Sequence, residues 1–467
     1  MVYALAIGCG LVLLAIVAAA MFAALKPLWL EHSRELLLVG GLLVGLAIVK
    51  CLLLPLFPGY PQDIFQFLLW GEVMTRGPWH VYDPNFVCRY MPGYLYALWA
   101  AVAPARALYF GPDVTDASTS ALRVLVTTPP IIADFLLGLI VFAWLRVVVG
   151  TGRRGPGAVM LFALNPALIF TSVVWGQNDS ALTLPVMLAL LMTSQGNYGL
   201  AAAAAALAVL VKLQGLMVLP IIGIWILLHG RVRDWMVAAL AFLATIVIAV
   251  APFQIGRPWD FLPKVIASSA DYFPYTSLNA FNLMALVAGM RVRDSTTLLG
   301  VSAFSLGMLL MTALYVVAIF VVWRERSPRV LLYAAFLAYL GFFVLPTRIH
   351  ERYLYFALAL LTPLALDSWA SLTMFGMLTV TFLVNQIITL RFLNHMTNLV
   401  RHDSYASVIA CINLAALAIA IASGMFLVSK DRARWPQVLC SFFKRSNRHE
   451  EVPAKPKRQS RVRSQGI

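Results

Sequence analysis

Long unbroken apolar runs constrain this chain more than any other feature. Runs of roughly 20 apolar residues, when helical, match the ~30 Å hydrocarbon core of a bilayer. Hydrophobic residues make up 61% of the 467-residue sequence and charged residues only 12%, against roughly 25% charge in soluble domains. A soluble protein must present charge to water, so this composition excludes a water-facing surface over most of the chain. Closed barrels are the other spanning form, but they need short alternating strands rather than continuous runs. The expected fold is an all-α, polytopic transmembrane helical bundle.

The apolar segments fall at about 3–25, 36–57, 121–149, 157–175, 180–195, 198–213, 215–229, 235–254, 299–323, 330–346, 352–366, 371–391 and 405–428. That is about 13 spans, with the splits between 157 and 229 the closest together. The first segment lacks a basic flank and is longer than a signal-peptide core, so it is expected to be a retained helix. Two long connections, at about 58–120 and 255–298, are expected to carry short interfacial helices. Gly93–Pro104 is one of them, being too short to span comfortably. No internal repeat is visible.

Residues 1–428 are expected to form the membrane domain and 429–467 a basic, partly disordered cytoplasmic tail. The net charge of +15 is concentrated there, in Lys430, Arg432, Arg434, Lys444, Arg445, Arg448, Lys455, Lys457, Arg458, Arg461 and Arg463. No aromatic interleaving like that of a base-stacking platform accompanies these cations, which points to anionic lipid headgroups rather than nucleic acid. Arg153 and Arg154, Arg231 and Arg233, and Arg324, Arg326 and Arg329 sit in short loops. Counting spans back from the tail puts all of them on the cytoplasmic side. The same count puts both long connections and the N-terminus outside. Cys9, Cys51, Cys88, Cys411 and Cys440 have no paired spacing, so neither a disulfide framework nor a zinc site follows.

On that count five polar motifs reach the outer face. They are Pro61-Gln62-Asp63-Ile64-Phe65, Trp175-Gly176-Gln177-Asn178-Asp179, Lys212-Leu213-Gln214, Ser277-Leu278-Asn279-Ala280-Phe281-Asn282 and Arg348-Ile349-His350-Glu351-Arg352-Tyr353. Ionisable groups at a membrane boundary are costly unless paired or hydrated, so each marks a possible site. Each also has a plain alternative. Asp63 alone suits a helix N-cap, and Gln177, Asn178 and Asp179 suit a cap of the next helix. Lys212 suits a snorkelling lysine, Glu351 with Arg352 a structural ion pair, and Asn279 and Asn282 turn positions.

Read in order, several strings resemble the C-type glycosyltransferase superfamily, and most of all its bacterial mannosyltransferase-like members. They are Asp63, Trp70-Gly71, Gly77 and Tyr82, then Arg89-Tyr90-Met91-Pro92-Gly93-Tyr94-Leu95-Tyr96 and Asn165-Pro166. There follow Trp175-Gly176-Gln177 with Asp179, Lys212 with Gln214 and Pro220, Asn279-Ala280-Phe281-Asn282, and His350-Glu351-Arg352-Tyr353, so the match runs over about 36–366. The resemblance implies transfer of a hexose, with mannose favoured, from a polyprenyl-phosphate sugar to a lipid, glycan or protein hydroxyl. The reaction is expected to invert the anomeric centre, outside the cytoplasm.

Asp63 is the implied general base. Lys212, Arg348, Arg352 and His350 are the implied donor-phosphate contacts, with Arg89 a further cation. Gln177, Asn178, Asp179, Gln214, Asn279, Asn282, Glu351 and Tyr353 are the implied sugar or acceptor contacts. Some superfamily members carry two acids one residue apart and use a divalent metal. Here Gln62-Asp63-Ile64-Phe65 supplies one acid, so neither a metal nor another cofactor is expected. A transporter or lipid flippase is the rival reading, although it would more often show repeat symmetry and mid-bilayer polar residues. A catalytically inert scaffold is a third, under which Asp63 is dispensable.

Overall fold

The computed structural model describes residues 2–83, 86, 88–108, 120–148, 155–256, 261–395 and 404–430. Arg153, Arg154, Cys440 and the tail beyond Lys430 lie outside the described residues. The described chain is helical almost throughout; a two-residue hairpin pairs Thr297–Leu298 with Val301–Ser302. In chain order the helices are α1 Val2–Leu53, α2 Pro61–Arg76, α3 Pro92–Leu108, α4 Ser120–Val148, α5 Gly155–Ala163 and α6 Pro166–Ile169. They continue as α7 Asp179–Ser194, α8 Tyr198–Val211, α9 Leu219–His229, α10 Val232–Val250, α11 Phe261–Ala270 and α12 Leu283–Ala288. The last five are α13 Ala303–Arg324, α14 Pro328–Val344, α15 Leu354–Ala365, α16 Trp369–His395 and α17 Ser404–Lys430.

Local chemistry sets many of these boundaries. Asn165, Asn197, Asn282, Ser302 and Ser327 each accept a backbone N–H in the first turn of the helix they precede. Pro166 and Pro328 occupy the first helical position, where a missing N–H costs nothing.

Among the described residues, six helices are long and apolar enough to cross a membrane, or seven if the pair Gly155–Ala163 and Pro166–Trp175, bent by 42°, is one span. The first of them, Tyr3–Leu56, has 54 residues. A straight helix of that length would reach ~80 Å, far beyond a bilayer core. It breaks at His32, whose φ of −138° and ψ of 36° leave the helical region. Its contacts show a reversal. Gly10 lies against the Tyr96 ring, and the Tyr96 hydroxyl donates to the Ala249 carbonyl at the C-terminal end of α10. Glu35 pairs with Arg146 near one end of α4, whereas the Leu54 carbonyl accepts from Arg123 near the other. Two of the expected spans are therefore the two limbs of α1.

Others of the expected spans are the shorter apolar helices Asp179–Ser194, Tyr198–Val211, Leu213–His229 and Pro328–Val344. By length and composition the described residues supply six or seven full-length spans, the rest of the expected 13 being shorter apolar helices. The short helices build the interior: α7, α14 and α15 are buried on nearly every side. Of the long helices, α10, α13 and α17 lie toward the outside, with 28% of the most apolar window buried in α17 and 33% in α10 and α13, whereas 61% is buried in α4. Long surrounding helices with exposed apolar faces fit lipid contact, and all-round burial fits the inner ones. The first long connection carries α2 and α3, tied by the Glu72–Arg106 ion pair. The second carries α11 and α12.

Candidate active site

The site begins with a forced close approach. After the 3₁₀ turn Leu54–Leu56, Gly59 adopts φ +69°, and a Cβ there would lie 2.7 Å from the Trp175 carbonyl oxygen. Glycine is required on both counts. The turn thus lies against the end of the π-helical segment Phe170–Trp175, and Pro61 opens α2 just beyond it. Asp63 sits in the first turn of α2, but the helix has no side-chain cap. Its carboxylate instead accepts from Gln177 Nε2 at 2.5 Å and from Trp175 Nε1 at 3.4 Å.

The π-helical turn places the second motif. Such turns shift the side-chain phase and recur at functional sites. Gly176 closes it in the left-handed region at φ +85°, and the Gln177 N–H returns to the Thr171 carbonyl. Gln177, Asn178 and Asp179 are almost wholly buried. Asn178 precedes α7 without capping it and accepts from the Tyr90 hydroxyl at 3.3 Å. Asp179 accepts from Lys212 Nζ at 2.8 Å, and Arg352 Nε lies 3.8 Å from its other oxygen. Arg352 Nη1 donates to Glu351 Oε1 at 3.1 Å. Gln214 Nε2 donates to the Tyr353 hydroxyl at 2.8 Å. Lys212 is 7% exposed, so it does not snorkel.

Four of the five sequence motifs therefore converge through Asp63, Gln177, Asn178, Asp179, Lys212, Gln214, Glu351, Arg352 and Tyr353, with His350 beside them. Five buried side-chain atoms in this cluster have no hydrogen-bond partner: Gln177 Oε1, Asn178 Nδ2, Asp179 Oδ2, Glu351 Oε2 and Arg352 Nε. A buried polar atom left unsatisfied typically costs about 1–3 kcal/mol. Concentrating five at one spot is unexpected for a purely structural cluster and ordinary for one that receives a polar ligand.

Burial dominates the electrostatics. It pushes the Asp63 carboxyl up from its usual range, against the opposing pull of Arg352, of the Trp175 and Gln177 hydrogen bonds, and of Lys212. It pushes Glu351 up to about 7, with Arg352 again opposing. It drives His350 well below the ordinary imidazole value, assisted by Arg352, Lys212 and Arg291, so that ring is neutral at pH 7.

Three expected contacts are employed elsewhere. Arg348, at φ +65°, donates to Asp294 at 2.6 Å and to Asp271 at 2.8 Å, so its charge is already matched. Asn282 caps α12 and donates to the carbonyls of Phe343 at 3.2 Å and Pro346 at 3.3 Å. Asn279, at φ +68°, gives its carbonyl to Asn385 Nδ2 at 2.7 Å and accepts from Arg291 Nε at 3.1 Å. The turn reading fits both asparagines better than direct sugar contact. Arg89 stacks on Tyr272, its guanidinium carbon 3.1 Å from the ring centroid.

The structure also brings in residues the motifs did not single out. Arg123 donates to the carbonyls of Leu54 at 2.5 Å, Val173 at 2.7 Å and Val174 at 3.2 Å. It thereby binds the turn before Asp63 to the segment before Gln177. Gln386 accepts from Thr171 at 2.7 Å and supports the π-helical turn from α16. The signal for Gln386 was present, since Asn385-Gln386 is an amide pair inside an apolar helix.

Among the described residues, no group of three His, Cys, Asp or Glu side chains is arranged to hold a metal ion. Compared with known families, the chain matches the model of glycosyltransferase family 87 over residues 119–347, just under half its length. That region carries the Gln177–Asp179, Lys212–Gln214 and Asn279–Asn282 motifs, and the match is consistent with the C-type resemblance read from them. No curated protein matches the chain.

Proposed function

From that match to a family of glycosyltransferases, we propose that this membrane protein moves a hexose from a polyprenyl-phosphate sugar to a lipid, glycan or protein hydroxyl. Mannose is the sugar the motif resemblance favours. The observation that carries the proposal is the meeting of Asp63 with the five unpartnered polar atoms. Three of those atoms are acceptors, on Gln177, Asp179 and Glu351, and two are donors, on Asn178 and Arg352. A phosphate alone only accepts and would leave the acceptors unmatched. Sugar hydroxyls both donate and accept, and a mixed set suits them.

Asp63 acts as the general base. An acceptor hydroxyl is a poor nucleophile, and a placed base contributes roughly 10²–10⁴-fold. A carboxyl raised by burial holds a proton better than an ordinary one, while the Gln177 and Trp175 N–H groups orient it. The hydroxyl gives its proton to Asp63 as its oxygen attacks the anomeric carbon. The lipid phosphate leaves from the opposite side, so the configuration inverts. Lys212 and Arg352 line the site with positive charge where negative charge moves onto the phosphate.

The site end of the bundle faces the non-cytoplasmic side in this proposal. Arg231 and Arg233 lie at the far end of α9 from Lys212, and Arg324, Arg326 and Arg329 at the far end of α14 from His350. Basic residues collect on the cytoplasmic side, so the opposite end is external and the C-terminal tail cytoplasmic. The deciding experiment is transfer by the purified protein from labelled polyprenyl-phosphate mannose and glucose to a panel of lipid-extract acceptors. A mannosylated product is expected. Absence of transfer from both donors to every acceptor would reject the proposal.

A further inference from the structure

We propose that Arg291 anchors the phosphate of the lipid-linked donor. This inference rests on the glycosyltransferase reading and adds a residue that neither the motifs nor the buried cluster supplied.

The need for another cation follows from counting charges. In the buried cluster Lys212 and Arg352 face three acids, Asp63, Asp179 and Glu351. Lys212 and Arg352 are each already engaged with Asp179 or Glu351, so part of their charge is matched before a phosphate arrives. Arg348 is matched by Asp271 and Asp294. A donor phosphate therefore needs a guanidinium or ammonium that is not already neutralised.

Arg291 is such a group. Among the described residues it meets no carboxylate. Its Nε donates to the neutral side chain of Asn279 at 3.1 Å, and its guanidinium carbon stands 4.8 Å from the centroid of the Phe392 ring. Those two contacts fix the base and one face of the guanidinium. Its two terminal nitrogens remain for a bidentate anion, the geometry in which arginine binds phosphate best.

Its position is as telling as its charge. The Asn279 backbone pairs with His350, which adjoins Glu351 and Arg352. Phe392 lies in the last turn of α16, where Asn394 donates to the Gly59 carbonyl at 3.3 Å. Gly59 belongs to the turn that delivers Asp63. Arg291 thus stands between His350 and the Asp63 turn, and its charge acts on both Tyr60 and His350. It is also level with the end of a helix long enough to span the bilayer, the depth at which lipid phosphates lie.

The backbone is shaped to hold this arrangement. Asn279 and Arg291 both adopt positive φ, at +68° and +55°. That conformation is uncommon for an arginine and costs on the order of 1 kcal/mol or more. The Arg291 N–H is secured by the Ser277 carbonyl at 3.0 Å. The asparagine thus becomes a positioning residue that aims the arginine.

The test is binding of sugar-free polyprenyl phosphate to the detergent-purified protein, with neutral polyprenol and inorganic phosphate as comparison ligands. Arg291→Ala is expected to raise Kd for polyprenyl phosphate by about tenfold or more. Polyprenol affinity should stay unchanged, and Arg291→Lys should recover part of the loss. Asn279→Asp should also weaken binding, because it gives the arginine a competing carboxylate. An unchanged Kd in Arg291→Ala, with wild type binding well, would overturn the anchor alone. Failure of wild type to bind polyprenyl phosphate would overturn the lipid-donor reading and the anchor with it. Inorganic phosphate binding as tightly as the lipid form would overturn the lipid source.

Discussion

Two buried ionic clusters among the described residues are built differently. One is the end-of-bundle group of Asp63, Asp179, Lys212, Glu351 and Arg352. The other lies among the helices, where Lys50 on α1 donates to Asp134 on α4 at 2.6 Å and the Tyr355 hydroxyl donates to the same carboxylate at 2.7 Å. The inner cluster is closed: none of Lys50, Asp134 and Tyr355 has a buried polar atom without a partner. The end cluster leaves five such atoms open. Charge within a membrane bundle is therefore not by itself a sign of chemistry. A satisfied pair joins helices, whereas a cluster with unspent hydrogen-bonding capacity is arranged for something else to occupy.

The sharpest way to break this comparison is to damage the closed cluster. Asp134→Leu leaves Lys50 as an unpaired buried cation, and breaking such a pair typically costs about 3–5 kcal/mol. Thermal unfolding in detergent should drop markedly while turnover per folded molecule holds. Lys50→Met with Asp134→Leu should restore much of the stability. Loss of turnover in the stable double variant would mean the inner cluster belongs to the site after all.

The open cluster should respond the other way. Asp63→Asn keeps size and hydrogen bonding but removes basicity. Turnover should fall by at least about 10²-fold, with melting temperature and donor affinity close to wild type. Wild-type turnover would remove Asp63 as the base and move the role to Asp179.

Lys212→Ala should lower kcat/KM by roughly 10–100-fold, the range for a hydrogen bond to a charged group. It also strips Asp179 of its 2.8 Å partner, so Lys212→Ala with Asp179→Asn should be more stable than Lys212→Ala alone. A double variant no more stable than the single one would argue that Lys212 and Asp179 are not coupled.

The smallest expected effect is in the pH dependence of stability. Burial raises the Glu351 carboxyl from an ordinary 4.5 to about 7 in the folded protein. Between those two values the folded state holds more protons than the unfolded state, so stability falls as pH rises through the window. Glu351→Gln should flatten that part of the curve of melting temperature against pH. A slope equal to wild type would place the titration on another group.

How much of this was legible beforehand varies by residue. Asp63, Gln177, Asp179, Lys212, Glu351 and Arg352 stood out because polar residues in an apolar sequence are costly, and the ordered motifs tied them together. Arg348 stood out for the same reason and proved to be an arginine already neutralised, since Asp271 and Asp294 are 77 and 54 residues away along the chain. Asn279 and Asn282 likewise proved to be tied across the fold, to Asn385 and Phe343, 106 and 61 residues away, while Asn282 caps α12 through the nearby Ala285 N–H. Arg123 and Arg291 gave no signal, because one arginine at a helix edge or in a loop is unremarkable until its neighbours are known.

Composition and the continuous apolar runs together settled that this chain is an α-helical membrane protein, because apolar surface on this scale has no aqueous alternative and a barrel would need short alternating strands. Local sequence settled many helix starts, since Asn, Ser and Pro act on backbone groups within three or four residues of themselves. Pairing across the fold was beyond its reach. Whether Lys50 meets Asp134, and whether a given arginine is free or matched, depend on contacts between residues far apart in the chain. Those contacts arise from packing the short inner helices against the long outer ones, and only the tertiary structure decides them.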